Sequence, residues 1–273
     1  MEIIKEEHKL TPEEKWEQAT LANNFIFYKV MRNHQDACKQ LLEMLLGIKI
    51  ESMEMKQEET IALDYDSKGI RLDVFVKDTG RMFDVELQVA NTKELPERAR
   101  YYQGVMDVDT LKAGQKYKEL RDSHIIFICL EDVFKNGLPV NTFANICLED
   151  GKTKFGDRTY KHFFFAPLCA KMIEDKEVKA FFEFLISNQA SSSYTDELKD
   201  YVADAKRSTE NKMQFMTWER QRAYDFEAGA QQKAVEDAIN FLKENISEEI
   251  IAKCTGLSLE KVLELKEKVS VKA

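Results

Sequence analysis

The sequence predicts a mixed α/β fold, in which a helix-flanked sheet is followed by a helical tail. Apolar residues recur three or four positions apart through residues 24–46, as they do on one face of a helix. Apolar and polar residues alternate through residues 71–76 and 83–89, which is typical of strands. Residues 124–130 (HIIFICL) are almost all apolar, which suits a strand buried on both faces. This order of elements favours an α/β or α+β sandwich with a mixed central sheet.

Local signals predict the remaining elements. Thr11 and Pro12 mark the start of a short helix, and Gly47 is placed to end the helix predicted for residues 24–46. The other predicted elements are strands at 48–53, 142–148 and 160–166, a helix at 94–111, and helices from Lys171 onward with a loop at 191–193.

The composition narrows the class of protein. The chain has 273 residues, of which 44% are hydrophobic and 33% charged, as in a soluble globular protein. Its net charge of −9 counts against a protein that coats nucleic acid by bulk electrostatics, although a metal ion or a local basic patch can still bring DNA to a site.

Five scattered cysteines without a CxxC pair argue against a disulfide scaffold or a zinc ribbon and favour the cytoplasm. The acidic amino terminus does not resemble a signal peptide, and no apolar run reaches the roughly 20 residues needed to cross a bilayer.

Acidic residues occupy one face of a predicted hairpin. Residues two apart on a strand share a face, so Asp73 lies on one side of its strand, and Asp84 and Glu86 share one side of the next. A two-residue loop at 78–79 would place Asp73 opposite Asp84, whereas a four-residue loop at 78–81 would place it opposite Glu86. A three-residue loop would need a bulge to restore the alignment. Either even-length loop brings the carboxylates to a common face, with Cβ atoms roughly 5–8 Å apart.

This spacing suits a divalent metal. Carboxylates on one hairpin face repel each other unless a cation lies between them, and Mg²⁺ prefers one or two carboxylates together with water and phosphate oxygens. The alternative is an ordinary amphipathic hairpin whose charged face is solvated. Phe75 on the Asp73 face and Gln88 beside Glu86 favour a site, because such a face is not simply exposed to water.

Four motifs then identify a resemblance to the PD-(D/E)XK nuclease superfamily, and within it to nuclease-family transposases and recombination-promoting nucleases. The motifs are residues 23–31 (NNFIFYKVM), 69–74 (GIRLDV), 84–89 (DVELQV) and 95–103 (LPERARYYQ). The resemblance covers most of residues 20–170. It implies a restriction-endonuclease-like core in αβββαβ order and a Mg²⁺-dependent deoxyribonuclease, with Mn²⁺ as a substitute.

The resemblance also implies residue roles. Asp73 and Glu86 would bind the metal together with the backbone carbonyl of Leu87. Glu43 on the first helix is a third acid by analogy, and a solvent-facing charge is the alternative. Asp84 is an alternate ligand, because a two-residue loop would place it opposite Asp73.

Gln88 departs from the superfamily pattern, in which lysine is usual. Glutamine offers hydrogen bonds without a charge, so activation of water would depend on the metal, with help from a cation elsewhere. Arg98 is the preferred contact for a DNA phosphate because arginine can bind phosphate through two hydrogen bonds. Tyr102 is a weaker candidate, and packing of the helix on the sheet is the alternative role for both Tyr101 and Tyr102, more so for Tyr101.

The predicted domains are a nuclease-like domain at 1–170, a helical extension at 171–245 and a helix-turn-helix-like tail at 246–273. Ser247 and Ser258 are placed to cap the two tail helices, with Gly256 in the turn. A helix-turn-helix module can bind DNA, but the second tail helix offers no Arg, Asn or Gln for reading bases. Packing or oligomerisation is therefore the alternative role of the tail.

The sequence leaves two functions open. The first is a metal-dependent DNA endonuclease that cuts phosphodiesters during DNA recombination or movement of mobile elements. The second is a non-catalytic DNA-binding or regulatory protein that retains the nuclease fold. A homodimer is compatible with either function.

Overall fold

The protein has a six-stranded mixed sheet with helices packed on it, as the sequence predicts. The structure is a computed structural model, and it describes residues 10–55, 60–61, 70–71, 74–90 and 92–270. Its helices are α1 (Pro12–Gln18), α2 (Asn24–Asn33), α3 (Gln35–Leu46), α4 (Leu95–Thr110), α5 (Ala166–Met172), α6 (Lys176–Ser187), α7 (Ser193–Arg207), α8 (Thr209–Lys243), α9 (Glu248–Thr255) and α10 (Leu259–Ser270). Its strands are β1 (Glu54–Met55), β2 (Thr60–Ile61), β3 (Ile70–Arg71), β4 (Val74–Asp78), β5 (Arg81–Gln88), β6 (Asp122–Cys129), β7 (Val140–Phe143) and β8 (Thr159–Phe165).

The strands of the main sheet are ordered β1-β4-β5-β6-β8-β7. The pairs β5–β6 and β6–β8 are parallel, and the other neighbours in this sheet are antiparallel. Strands β2 and β3 form a separate antiparallel pair. The αβββαβ order and the mixed sheet expected from the sequence are therefore confirmed.

Three predicted elements differ from the structure. The strand predicted for residues 142–148 is β7, which spans Val140–Phe143; beyond Phe143 the chain folds back on itself, and Cys147 N donates to Thr153 O at 2.8 Å. The helix predicted for residues 24–46 is two helices, because His34 has non-helical backbone angles (φ −124°, ψ 78°) and its ring stacks on Tyr201 at 3.6 Å between centroids. The strand predicted for residues 48–53 is wrong. Its backbone N–H groups donate hydrogen bonds to side-chain carboxylates and not to a neighbouring strand. The Ile50 amide donates to Glu43 Oε1 at 2.8 Å, and the Ser52 amide donates to Asp78 Oδ1 at 3.0 Å.

Helices cover both faces of the sheet. Phe75 and Met82 lie on the face that α4 covers, in a core cluster with residues of α4, β6 and β8. The opposite face of the hairpin buries Val76, Phe83 and Val85, and α2 contacts β4 and β5. Strand β6 is buried on both faces from Ile125 to Cys129, in agreement with its apolar sequence.

The chain divides into two compact units. One unit is Glu17–Asn211, which contains the whole sheet and α2 to α7; the other comprises Met1–Trp16 and Lys212–Ala273. The first unit thus extends beyond residue 170, the end of the nuclease-like domain predicted from the sequence. In the second unit, the end of α8 packs with α9 and α10 around Ala238, Ile251 and Val262. Within the described part of the chain, none of the helices combines the length and apolar character needed to span a bilayer.

Candidate active site

The register of the β4–β5 hairpin is set at its turn. Asp78 pairs with Arg81, so that Thr79 and Gly80 form the turn, and Gly80 has φ 77°. The Asp78 carboxylate accepts hydrogen bonds from Arg81 Nε at 3.1 Å and Nη2 at 2.6 Å and from the Ser52 amide. Burial raises the pKa of Asp78, but the amides of Ser52 and Thr79 and the Arg81 guanidinium together lower it below its usual range. Through the hydrogen bond from the Ser52 amide, Asp78 connects the turn to the segment that precedes the hairpin.

The hairpin pairs Phe75 with Asp84 and Val74 with Val85. This is the register that the sequence predicts for a four-residue loop, with Asp73 opposite Glu86, although Asp78 and Arg81 pair and leave a turn of two residues. Asp73 lies outside the described residues, so its position remains a prediction.

The acidic face of the hairpin is buried and not solvated. Asp84 is 0% exposed and Glu86 is 3% exposed. The two side chains share a face with Phe75 and Met82, over which α4 packs. A carboxylate removed from water must be balanced by hydrogen bonds or by positive charge. The amphipathic-hairpin alternative therefore does not hold for these two residues.

Arg98 of α4 provides the positive charge beside Glu86. Its Nη2 donates to Glu86 Oε2 at 2.8 Å and to the Tyr102 hydroxyl at 3.1 Å, and its Nη1 donates to Gln88 Oε1 at 2.9 Å. The guanidinium carbon lies 5.3 Å from the centroid of the Tyr102 ring and 5.5 Å from that of Phe127. Arg98 thus connects two residues of the hairpin strand β5 with the first turns of α4.

Tyr102 stays protonated in this setting. Burial raises its pKa to about 12, the negative charge of Glu86 adds to the effect, and Arg98 opposes it. Tyr102 also packs against the core cluster under α4, whereas Tyr101 is 38% exposed. The packing role expected chiefly for Tyr101 therefore belongs to Tyr102.

Four residues predicted for the site come together: Glu86, Gln88, Arg98 and Tyr102. Asp84 lies on the same face of β5, and its charge contributes to the raised pKa of Tyr102. The spacing of Arg98 and Tyr102, four positions apart on a helix, signals that they share a face. Phe127 was not predicted, because its approach to Arg98 depends on the pairing of β6 with β5.

Glu43 is not part of this group of contacts. Its carboxylate accepts hydrogen bonds from the Ile50 amide at 2.8 Å and from Lys49 Nζ at 3.3 Å, and Arg81 Nη2 donates to the Lys49 carbonyl at 2.5 Å. These contacts hold Glu43 toward the turn end of the hairpin. Arg81 precedes Glu86 by five strand residues, a separation of about 17 Å.

The donors at the site suit a hard divalent ion, since they are carboxylate and carbonyl oxygens. Within the described ranges, no three His, Cys, Asp or Glu side chains are grouped closely enough to hold a metal. Glu86 and Asp84 therefore provide only part of a ligand set there, and the third carboxylate, that of Asp73, is outside those ranges. The Leu87 side chain is buried on the opposite face of β5, so only its backbone carbonyl is a candidate ligand.

A mixed sheet flanked by helices, with acidic residues on an antiparallel hairpin beneath a helix, is consistent with a restriction-endonuclease-like fold. Residues 23–245 match the model of the PD-(D/E)XK nuclease family transposases, and the chain belongs to that family. The match includes the hairpin and α4 and ends before α9. Comparison with curated proteins and with solved structures gives no match.

Proposed function

We propose that the protein is a metal-dependent DNA endonuclease that hydrolyses phosphodiester bonds in recombination or in the movement of mobile elements. One observation carries the proposal: in a member of this nuclease family, the buried Glu86 carboxylate lies beside Asp84 and is balanced by an arginine. A buried ion pair usually stabilises a fold no better than apolar side chains of similar volume would, so stability alone does not account for this one. A site for a cation and a phosphate is the purpose that these residue types favour.

The ligand set that we propose for the metal is Asp73, Glu86 and the Leu87 carbonyl, with Asp84 as an alternate. Mg²⁺, with Mn²⁺ as a substitute, would act as a Lewis acid toward the phosphate and lower the pKa of a bound water. Gln88 supplies hydrogen bonds without a charge. Arg98 contacts the phosphate, and Tyr102 holds Arg98 in place.

The ion pair between Glu86 and Arg98 limits this arrangement. Arg98 Nη2 lies 2.8 Å from Glu86 Oε2, so a metal that uses this oxygen must replace the arginine there. The Arg98 side chain is 29% exposed, whereas the Glu86 side chain is 4% exposed. The arginine can therefore leave toward solvent more readily than the carboxylate.

Incubation of the protein with supercoiled plasmid and Mg²⁺ or Mn²⁺ tests the proposal. We expect nicked or linear DNA from the natural protein, and loss of cleavage in both Asp73→Ala and Glu86→Gln. Glu97→Gln is the matched control, since Glu97 is exposed on α4 next to Arg98 and the change removes the same charge. Intact plasmid at every metal concentration would contradict the proposal, as would Asp73→Ala cleaving at the natural rate.

The second candidate is a DNA-binding or regulatory protein that keeps the nuclease fold without catalysis. Gln88 and the ion pair on Glu86 favour this second candidate. Gln88 lacks the positive charge of a lysine, and Arg98 occupies a carboxylate oxygen that a metal would need for activating water. Gel-shift measurements with the double variant Asp73→Ala/Glu86→Gln separate the two functions. DNA binding that survives in this variant, combined with no cleavage by the natural protein, would support the second candidate.

A further inference from the structure

The Gln88 side chain has a fixed orientation. Its Oε1 accepts from Arg98 Nη1 at 2.9 Å, while its Nε2 donates to the backbone carbonyl of Ala90. A lysine at this position could not accept a hydrogen bond from Arg98 and would place a second positive charge beside it. The glutamine is therefore matched to an arginine that arrives from α4.

Among the described residues, the Arg98 guanidinium has several contacts besides that with Glu86. Gln88 and the Tyr102 hydroxyl accept hydrogen bonds from it, and the centroids of the Tyr102 and Phe127 rings lie within 5.5 Å of it. These groups can hold the guanidinium when Glu86 binds something else. The Glu86 contact is the one that a divalent ion on the same carboxylate would oppose, because the two positive charges repel each other.

We propose that Arg98 is an exchangeable counter-ion: it neutralises Glu86 in the metal-free protein and pairs with the DNA phosphate when a metal ion takes Glu86. Arg98 thereby supplies from α4 the positive charge that Gln88 lacks on β5. This role rests on the proposed function: the movement of Arg98 from Glu86 to the phosphate would couple metal binding to DNA binding at that site. Gln88 is a positioning residue that acts through Arg98.

Opposite effects of one substitution on two ligands provide the test. In Arg98→Gln, we expect the affinity for Mn²⁺ alone, measured by titration calorimetry without DNA, to rise about tenfold or more, because a competing charge is gone. We expect DNA cleavage by the same variant to fall on the order of a hundredfold, because a phosphate contact is lost. Arg100→Gln is the control, since it removes an equal charge from an exposed position of α4.

The outcomes distinguish this inference from the proposed function. If the natural protein neither binds Mn²⁺ nor cuts DNA, the proposed function fails. If it does both, but Arg98→Gln weakens Mn²⁺ binding together with cleavage, Arg98 only supports the fold of the site and the counter-ion role is overturned. Melting temperatures of both variants show whether each is folded.

A double variant tests the transfer of charge. Gln88→Lys combined with Arg98→Gln returns the positive charge to β5. We expect this double variant to cut DNA faster than Arg98→Gln alone. We also expect Mn²⁺ to raise its melting temperature, as it does for any folded protein that binds the ion. The absence of any recovery in a folded double variant would overturn the claim that Arg98 replaces the charge missing at Gln88.

Discussion

Charge at the site is controlled by residues from several elements. Glu86 comes from β5, Arg98 and Tyr102 from α4, and Phe127 from β6. Sequence could predict the first three, because strand alternation and helical spacing assign each side chain to a face. It could not predict that Arg98 would pair with Glu86, because that contact depends on where α4 packs on the sheet.

The hydroxyl group of Tyr102 contributes to placing Arg98. Tyr102→Phe removes an acceptor that lies 3.1 Å from Arg98 Nη2. We expect the free energy of unfolding to fall by about 0.5–1.5 kcal/mol, the usual net contribution of one hydrogen bond, together with slower DNA cleavage. Tyr101→Phe is the matched control, because Tyr101 is 38% exposed. Equal effects of the two substitutions would contradict a role for Tyr102 at the site.

Two histidines on the opposite face of the sheet are predicted to make stability depend on pH. His124 Nδ1 and His162 Nε2 lie 3.1 Å apart, and His162 Nδ1 lies 3.1 Å from Thr142 Oγ1. Burial lowers the pKa of each imidazole to about 4; the charge of Arg81 adds to this for His124, and that of His124 for His162. Neither spacing nor a motif indicates this pair, because the residues meet through the parallel pairing of β6 with β8.

Both imidazoles are neutral in the folded protein and take up protons on unfolding below pH 6.5. Their stabilising contribution is complete above that pH and is lost as the pH falls from 6.5 toward 4. Two protons correspond to a slope of at most about 2.7 kcal/mol per pH unit. Urea unfolding between pH 7 and 4.5 measures it. We expect His124→Gln/His162→Gln to have a shallower slope than the natural protein, and equal slopes would contradict the prediction.

At the scale of elements, the hairpin determines where the acidic residues lie. Alternation predicted both strands and their faces, but it left several registers open. The turn settled the register through Asp78, which binds Ser52 and Arg81. Ser52 lies 26 positions away in the chain, so this contact could not be inferred from the hairpin sequence alone.

The same limitation explains why the predictions for residues 24–46 and 48–53 differ from the structure. Apolar spacing continues across His34 and therefore hides the break between α2 and α3. Residues 48–53 alternate like a strand, yet the amides of Ile50 and Ser52 donate hydrogen bonds to the carboxylates of Glu43 and Asp78. Local patterns predict a conformation, whereas tertiary contacts decide which partner satisfies the backbone.

The turn residue Gly80 can be tested against a second glycine. Gly80 has φ +77°, and a Cβ there would meet nothing within 4 Å, so Gly80→Ala changes conformational energy without a clash. We expect the free energy of unfolding to fall by about 1–2 kcal/mol. Gly104→Ala in α4, which is equally unobstructed but helical, should raise it by roughly 0.5–1 kcal/mol. Chemical denaturation measures both, and changes of the same sign would contradict the assigned turn.

At the scale of the whole molecule, the family match and the compact units divide the chain differently. The match runs from residue 23 to residue 245 and so extends from α2 to the end of α8. The compact unit that contains the sheet ends at Asn211. Periodicity and the turn residue Gly256, which has φ 75°, predicted the two tail helices. The predicted cap at Ser258 accepts a hydrogen bond from Lys261 N at 3.2 Å, whereas the Ser247 side chain makes no capping hydrogen bond. These local signals could not predict that the end of α8 completes the apolar cluster with α9 and α10.

Neighbouring isoleucines in α9 test whether this three-helix cluster is a folding unit of its own. Ile251 is 0% exposed and belongs to the cluster, whereas Ile250 is 55% exposed. Ile251→Ala removes buried methyl groups at a cost of about 2–5 kcal/mol, and Ile250→Ala should change stability by less than about 0.5 kcal/mol. Hydrogen exchange should therefore accelerate in α9 and α10 of Ile251→Ala, while the amides of β5 keep their natural protection. Faster exchange in β5 as well would mean that the cluster and the nuclease sheet unfold together, and that the tail supports the site.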